Sequence, residues 1–215
     1  MAEEPFDWSE LKAIAYAPEM TLDIYKAFPE DASKMIEVVD GHMVKAESAQ
    51  PSHQGIAENF IFAIRGAMGE KDATEHTCHR VHGDLDVLLA DEPKLHLRRP
   101  DVVVYQCITA DRGKWGRKPC ASDCLLAVEV VSADSVTTDT RDKRAEYAVA
   151  EIAYYWIVRM DNNDGPAVSV ERLERAYHGD YVTQGLAVRR RDFYAVDIVK
   201  PFQLKLTWDQ LDDGL

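Results

Sequence analysis

Two apolar segments, DVVVY at residues 101–105 and LLAVEVV at residues 125–131, decide the fold. Each is a short, nearly continuous run of aliphatic residues, the pattern of strands that are buried on both faces of a sheet. Each run also carries one carboxylate, Asp101 at the start of the first and Glu129 inside the second. Charged residues are rarely buried unless they are paired, bind a metal or take part in chemistry. The fold and the candidate site are therefore predicted from the same two segments.

The surrounding segments predict a single mixed α/β domain. Apolar residues at helical spacing indicate a helix over residues 53–68, and the Asp40-Gly41 pair is typical of a hairpin turn. We predict further helices at 8–15, 21–28 (with Thr21 as N-cap) and 139–150, a hairpin at 35–44, strands at 85–89 and 153–158, and a meander of strands at 168–173, 177–183 and 186–189. A polar lead-in at residues 1–20 then precedes the domain at 21–215.

The charge balance argues against bulk attraction to nucleic acid or membranes. The 215 residues include 25 basic and 38 acidic side chains, a net charge of −13, with 46% hydrophobic residues as in an ordinary globular protein. Residues 94–118 differ, with seven basic and two acidic side chains. No signal peptide or membrane-length apolar stretch is visible, so we expect a cytoplasmic protein.

The four cysteines are too few for a disulfide framework in a chain of this length, and we expect reduced thiols. Cys120 and Cys124 lie four residues apart, and Cys78 precedes His79. A zinc site is the less favoured alternative, because the chain has no CxxC pair.

Asp101 and Glu129 lie on strands that we expect to be neighbours. Two ionised carboxylates that lie close together repel each other unless a cation separates them, and Mg²⁺ prefers such oxygen ligands. The alternative is that both are strand-end charges paired with arginines, and the two residues alone favour it. Lys143 and Tyr147 share one face of the following helix, where a lysine can orient a water molecule and stabilise phosphate charge. Otherwise Lys143 belongs to a solvated, charge-mixed helix.

The order of these motifs resembles the Uma2 family of restriction-endonuclease-like proteins, in the PD-(D/E)XK superfamily. The resemblance covers roughly residues 20 to 211 and rests on order and spacing. The matching segments are PDVVV at 100–104, VEVVS at 128–132, the helix from Asp139 to Ala148, YWIV at 155–158, EVVDG at 37–41, PSHQ at 51–54 and PF at 201–202. The resemblance implies a central mixed β-sheet flanked by helices, with an N-terminal hairpin and a C-terminal antiparallel meander.

The resemblance also implies a site. Asp101 and Glu129 would bind Mg²⁺ or Mn²⁺, and Lys143 would orient the attacking water. The superfamily signature has a lysine where this chain has Val131, and Lys143 would replace it from the next helix. Additional candidates are Glu37, His53 and Tyr147. Glu37 is alternatively a strand-pair charge and His53 a helix-start packing residue, and for Asp84 and Asp86 a structural role is preferred.

The implied activity is metal-dependent hydrolysis of phosphodiester bonds, with DNA as substrate. We also expect a homodimer, because cleavage of two strands suits a twofold assembly. The basic segment offers weak candidates for nucleic-acid contact: Arg98, Arg99, Arg112, Lys114, Trp115, Arg117 and Lys118. A flexible solvated loop is the alternative for this segment. Two other functions use the same fold or carboxylates, a binding module without turnover and a small-molecule metallohydrolase.

Overall fold

The computed structural model describes residues 19–46, 50–69, 78–131 and 141–214. In this part of the chain the helices are α1 Leu22–Ala27, α2 Glu30–Ser33, α3 Pro51–Gly69, α4 Lys143–Val149 and α5 Trp208–Leu211. The strands are β1 Ile36–Val39, β2 His42–Lys45, β3 His79–His82, β4 Val87–Ala90, β5 His96–Arg98, β6 Val102–Gln106, β7 Cys124–Val131, β8 Tyr154–Met160, β9 Ala167–Arg175, β10 Tyr181–Val188, β11 Tyr194–Ile198 and β12 Leu204–Thr207.

The larger sheet has six strands in the order β10-β9-β8-β7-β6-β3. Its β7 and β8 are parallel, and its other neighbouring pairs are antiparallel. Parallel neighbours need a crossover connection, which here includes α4. The predicted mixed sheet with flanking helices is therefore confirmed.

A second sheet, in the order β2-β1-β5-β4, contains the predicted hairpin. Asp40 and Gly41 join its first two strands with φ angles of +49° and +77°. Both values lie in the left-handed region that a tight hairpin turn requires. The hairpin prediction is confirmed, and Thr21 caps α1 as expected by accepting a hydrogen bond from the Ile24 N–H.

Apolar side chains cover both faces of the larger sheet. On one face, Ile56, Phe60 and Ile64 of α3 are fully buried in a cluster that includes Trp156. On the other face, Tyr147 of α4 is fully buried in a cluster with strand residues that include Tyr155. Helix α3 and the part of α4 that the structure describes are thereby fixed against opposite sides of β7, the strand that carries Glu129.

Several sequence predictions need correction. Residues 181–183 and 186–188 of the two predicted strands lie in one strand, β10, which has an irregularity between Thr183 and Gly185, and residues 177–180 lie in the turn before it. The strands β3, β5, β11 and β12 were not predicted. In β3, only Val81 is apolar, so the strand lacks the alternation that would reveal it. The predicted helix at 8–15 and the first residues of the predicted helix at 139–150 lie outside the described residues.

The cysteine prediction is wrong for two of the four residues. Cys78, just before β3, and Cys107, just after β6, form a disulfide. Cys120 and Cys124 are free, and burial raises the pKa of the Cys124 thiol well above its ordinary value. No helix in the described segments has the length and apolar character needed to cross a membrane.

Replacing Phe60 with alanine should lower the free energy of unfolding by about 3–5 kcal/mol, because the ring is fully buried and packs near Trp156. Phe62, two residues along the same helix, is 71% exposed, so Phe62→Ala should change stability by less than about 1 kcal/mol. Urea denaturation of both variants makes the comparison. Equal losses would contradict the assignment of this helix face to the core.

Candidate active site around Asp101 and Glu129

Asp101 lies immediately before β6, and its carboxylate is tied to the neighbouring strand. Its Oδ2 accepts a hydrogen bond of 2.6 Å from the backbone N–H of Val130 in β7. Val102 pairs with Val128 in the antiparallel register. Continuing that register by one residue places Asp101 beside Glu129, as the sequence predicted.

Glu129 is buried in β7, with 2% of its surface exposed. Its Oε2 accepts a hydrogen bond from Lys143 Nζ at 2.9 Å, and its Oε1 accepts one from the Tyr147 hydroxyl at 2.7 Å. The two donors lie four residues apart on α4 and therefore share one helix face. The structure thus brings three of the predicted site residues together, and the charge of Glu129 is balanced directly by the ammonium group.

Tyr147 acts here as a hydrogen-bond donor. Its burial and the nearby charges of Glu129 and Glu37 raise the pKa of its hydroxyl well above 10. A phenol that keeps its proton can hold a carboxylate by donating to it, but it cannot serve as a base at neutral pH. Tyr147 therefore positions Glu129.

His53 approaches Asp101 from the first turn of α3. Its Nε2 lies 3.3 Å from Asp101 Oδ2, and its buried Nδ1 has no hydrogen-bond partner among the described residues. Burial lowers the pKa of His53, but the contact with Asp101 and its negative charge raise it overall. The structure brings this predicted residue to the site as a neighbour of the Asp101 carboxylate.

Glu37 is held differently. Its Oε2 accepts a hydrogen bond from Arg98 Nη1 at 2.8 Å, and its Oε1 accepts one from the Arg99 backbone N–H at 2.7 Å. Arg98 also makes two hydrogen bonds, of 2.6 and 2.7 Å, to Glu146 on α4. Both carboxylate oxygens of Glu37 are thus engaged within the protein, and a role for Glu37 at the site stays a prediction.

The basic segment is largely engaged within the protein. Arg98 and Trp115 are each 3% exposed, so neither is presented to a nucleic acid. Arg99 and Lys118 both contact the Asp86 carboxylate, and Arg112 makes a hydrogen bond of 2.8 Å to Asp123. The expectation of direct nucleic-acid contact needs correction for the two buried residues. Arg117 is exposed, and the side chain of Lys114 lies outside the described part of the chain.

Two features of the site were missed by sequence reasoning. The Arg98–Glu146 pair was missed because contacts 48 residues apart leave no local pattern. The second feature is that Asp84, for which a structural role was preferred, lies near Asp101: partial burial of its carboxyl group and the charge of Asp101 raise its pKa. Asp84 lies close to Asp101 because the residue before it, Gly83, packs tightly against Asp101. A Cβ atom at position 83 would lie 2.9 Å from the Asp101 carbonyl oxygen. The Gly-Asp pair directly after β3 was the available signal.

The carboxylates fit a hard divalent cation in donor chemistry. Oxygen donors suit Mg²⁺ or Mn²⁺, which keep several water ligands. Asp101 Oδ2 faces Val130 N–H and His53, while its Oδ1 accepts no hydrogen bond from a described residue. Among the residues that the structure describes, no three His, Cys, Asp or Glu side chains form a ready-made metal cluster.

Comparison with known proteins identifies a family and a fold. A family model described as "Uma2: Putative restriction endonuclease" matches residues 22–206. A solved structure described as a "putative nuclease belonging to DUF820 from Anabaena variabilis" is similar, with a TM-score of 0.62 and 18% identity over 89% of this chain and 97% of that one. At this identity the likeness shows the fold alone. No curated protein matches the chain.

Acid should weaken the ion pair that supports α4. Burial raises the pKa of the Glu146 carboxyl, but contacts from His96 and Arg98 outweigh it and hold the pKa at about 2, below the ordinary 4.5. The contribution of Glu146 is thus present above pH 4.5 and lost as the pH falls towards 2, with an upper size on the order of 3 kcal/mol. Denaturant unfolding between pH 6 and pH 2.5 should show a shallower loss of stability for Glu146→Gln than for the unmodified protein.

The control for this experiment is Glu58→Gln, because Glu58 is exposed on α3 and has no ion-pair partner in the described segments. Its pH profile should match that of the unmodified protein. Identical slopes for all three proteins would contradict the assigned role of Glu146.

Proposed function

Because the family model covers residues 22–206, the chain belongs to the Uma2 family, and we propose that it is a metal-dependent endonuclease that hydrolyses phosphodiester bonds in DNA. The observation that carries this proposal is the buried Glu129 carboxylate, which is held between Lys143 and Tyr147 beside Asp101. Burying a carboxylate is unfavourable, and groups of this kind concentrate at sites of chemistry. The likeness of fold to a nuclease-like structure is consistent with this assignment.

Asp101 and Glu129 would hold Mg²⁺ or Mn²⁺, which supplies a Lewis acid and lowers the pKa of a bound water. The other roles belong to the chain itself. Tyr147 holds Glu129 Oε1 in place, while the Val130 N–H and His53 hold Asp101. Each carboxylate is thus oriented before substrate arrives.

Lys143 is the residue that would act on the reacting groups. Its ammonium group lies 2.9 Å from Glu129 Oε2, so the nucleophilic water and the Lys143 side chain can share this carboxylate as a neighbour. A positive charge at that position stabilises the negative charge that develops on the phosphoryl oxygens. Lys143 would therefore position the water and stabilise the transition state.

A binding module without turnover is the second candidate. It is favoured by one observation, namely that both oxygens of Glu129 already accept hydrogen bonds from Lys143 and Tyr147. An ion at this carboxylate would have to share it with both donors. Activity and binding must therefore be measured separately.

We further propose a homodimer, since cleavage of two antiparallel strands suits an assembly with twofold symmetry. Light scattering of the purified protein measures the assembly directly. A monomer at every concentration would contradict it.

Asp101→Asn, Glu129→Gln and Lys143→Met should each lower nuclease activity by roughly 100-fold or more, because each removes a charge that the reaction uses. Supercoiled, linear and single-stranded DNA, and RNA, should be tested with Mg²⁺, with Mn²⁺ and with chelator. Asp209→Asn, at an exposed carboxylate of α5, is the matched control and should retain full activity. Equal activity in all four variants would mean that the observed nicking comes from a contaminant.

Calorimetric titration with Mn²⁺ tests the metal separately from turnover. We expect binding that weakens by roughly tenfold or more in Asp101→Asn and Glu129→Gln, because each variant removes one anionic oxygen ligand. Asp209→Asn should bind as the unmodified protein does. Unchanged binding in both site variants would overturn the assigned ligands.

A further inference from the structure

Strand β3 forms one edge of the larger sheet among the strands that the structure describes. It pairs with β6 on one side, and it is the outermost strand in the order β10-β9-β8-β7-β6-β3. Its four residues are His79–His82, of which Arg80 and His82 are exposed while Val81 points into the core. This edge therefore presents the guanidinium group of Arg80 to solvent.

Helix α3 adds a second guanidinium to this edge. Arg65 is exposed, and its Nη2 lies 3.5 Å from the carbonyl oxygen of Val81. Burial, followed by the positive charges of Arg65 and Arg80, lowers the pKa of His82. Arg80 and His82 lie two residues apart on β3 and therefore share one face of the strand, and Arg65 reaches the same strand at Val81. These three residues, Arg65, Arg80 and His82, are here called the β3 rim.

The two arginines of the β3 rim have no acidic partner in the described segments. No described carboxylate oxygen lies within 4.0 Å of either guanidinium group. Arg98, Arg99 and Arg112 differ, because each is paired with a carboxylate. In a chain with a net charge of −13, these two exposed arginines on adjacent elements provide a local positive field for an anion.

The β3 rim leads to the candidate active site. His82 pairs with Val103, and the next residue, Gly83, packs so closely on Asp101 that a Cβ atom would approach its carbonyl oxygen to 2.9 Å. Arg80 pairs with Tyr105, four residues from Asp101 along β6, which corresponds to roughly 13 Å. One strand of a duplex carries a phosphate every ~3.4 Å of helix axis, so this distance spans about four phosphates.

We propose that Arg65 and Arg80 bind the sugar-phosphate backbone of the nucleic acid and direct it along β3 to the carboxylates at Asp101 and Glu129. This inference rests on the proposed nuclease function and names the surface that would hold its substrate. The contacts go to phosphates, so the rim supplies affinity and position without reading the base sequence.

Fluorescence anisotropy with an end-labelled DNA duplex tests the rim, in chelator so that cleavage does not interfere. The double variant Arg65→Gln/Arg80→Gln should bind about tenfold more weakly at moderate salt, and the slope of log affinity against log salt should fall by about 2. Arg65→Lys/Arg80→Lys keeps both charges and should recover most of the affinity. The matched control is Arg190→Gln/Lys200→Gln, which removes two exposed positive charges elsewhere and should change affinity less than twofold.

Circular dichroism melting of each variant verifies folding. If the control pair weakens DNA binding equally, or if the Arg65→Gln/Arg80→Gln protein binds DNA as the unmodified protein does, the proposal that the β3 rim binds DNA is wrong. Cleavage measured in parallel separates the two proposals. If DNA binding depends on the β3 rim but no metal-dependent cleavage is detected, the binding proposal is supported and the nuclease function is refuted. If cleavage depends on Glu129 but not on the β3 rim, the nuclease function is supported and the proposal that the rim binds DNA is refuted.

Discussion

The ion pair between Glu129 and Lys143 is the interaction on which the arrangement of the site depends. Glu129 lies in the middle of the larger sheet with 2% exposure, and an isolated carboxylate in such surroundings would be strongly unfavourable. Lys143 and Tyr147 satisfy it only if α4 packs on this face of β7. The same helix belongs to the crossover that makes β7 and β8 parallel. Sheet topology and site chemistry are therefore linked through one side chain.

Arg98 extends this dependence to the smaller sheet. From the end of β5 it binds Glu37 of β1 and Glu146 of α4, with a side chain that is 4% exposed. Removing one partner of a buried charge group usually destabilises a protein by several kcal/mol, because the remaining charge is left without compensation. The orientation of the helix that presents Lys143 is thus supported by a residue of the other sheet.

Sequence patterns predicted the elements whose burial is strong and local. The apolar runs of β6, β7 and β8, the face of α3 and the turn at Asp40-Gly41 all follow from periodicity or turn chemistry. Asp101 and Glu129 stood out as carboxylates in apolar strands, and Lys143 and Tyr147 as residues on one face of the following helix. His53 was a candidate only through the resemblance to the family. The contacts of the basic segment at 94–118 were harder to predict, because composition does not reveal that Arg99 and Lys118 both pair with the Asp86 carboxylate. The strand β3 was missed because an edge strand with one apolar residue has no distinctive period.

The spacing of the ion pairs along the chain has a consequence for assembly of the fold. Glu129 and Lys143 are 14 residues apart, whereas Glu37 and Arg98 are 61 residues apart. Closing a loop of the longer span loses more chain entropy, a difference of about 1.3 kcal/mol from the logarithmic dependence on loop length. Glu129 and Lys143 thus belong to a local β-α-β unit, β7-α4-β8, whose closure loses less chain entropy. The arginine bridge requires distant segments to have met first, and φ-value analysis at Lys143 and Arg98 would resolve that order.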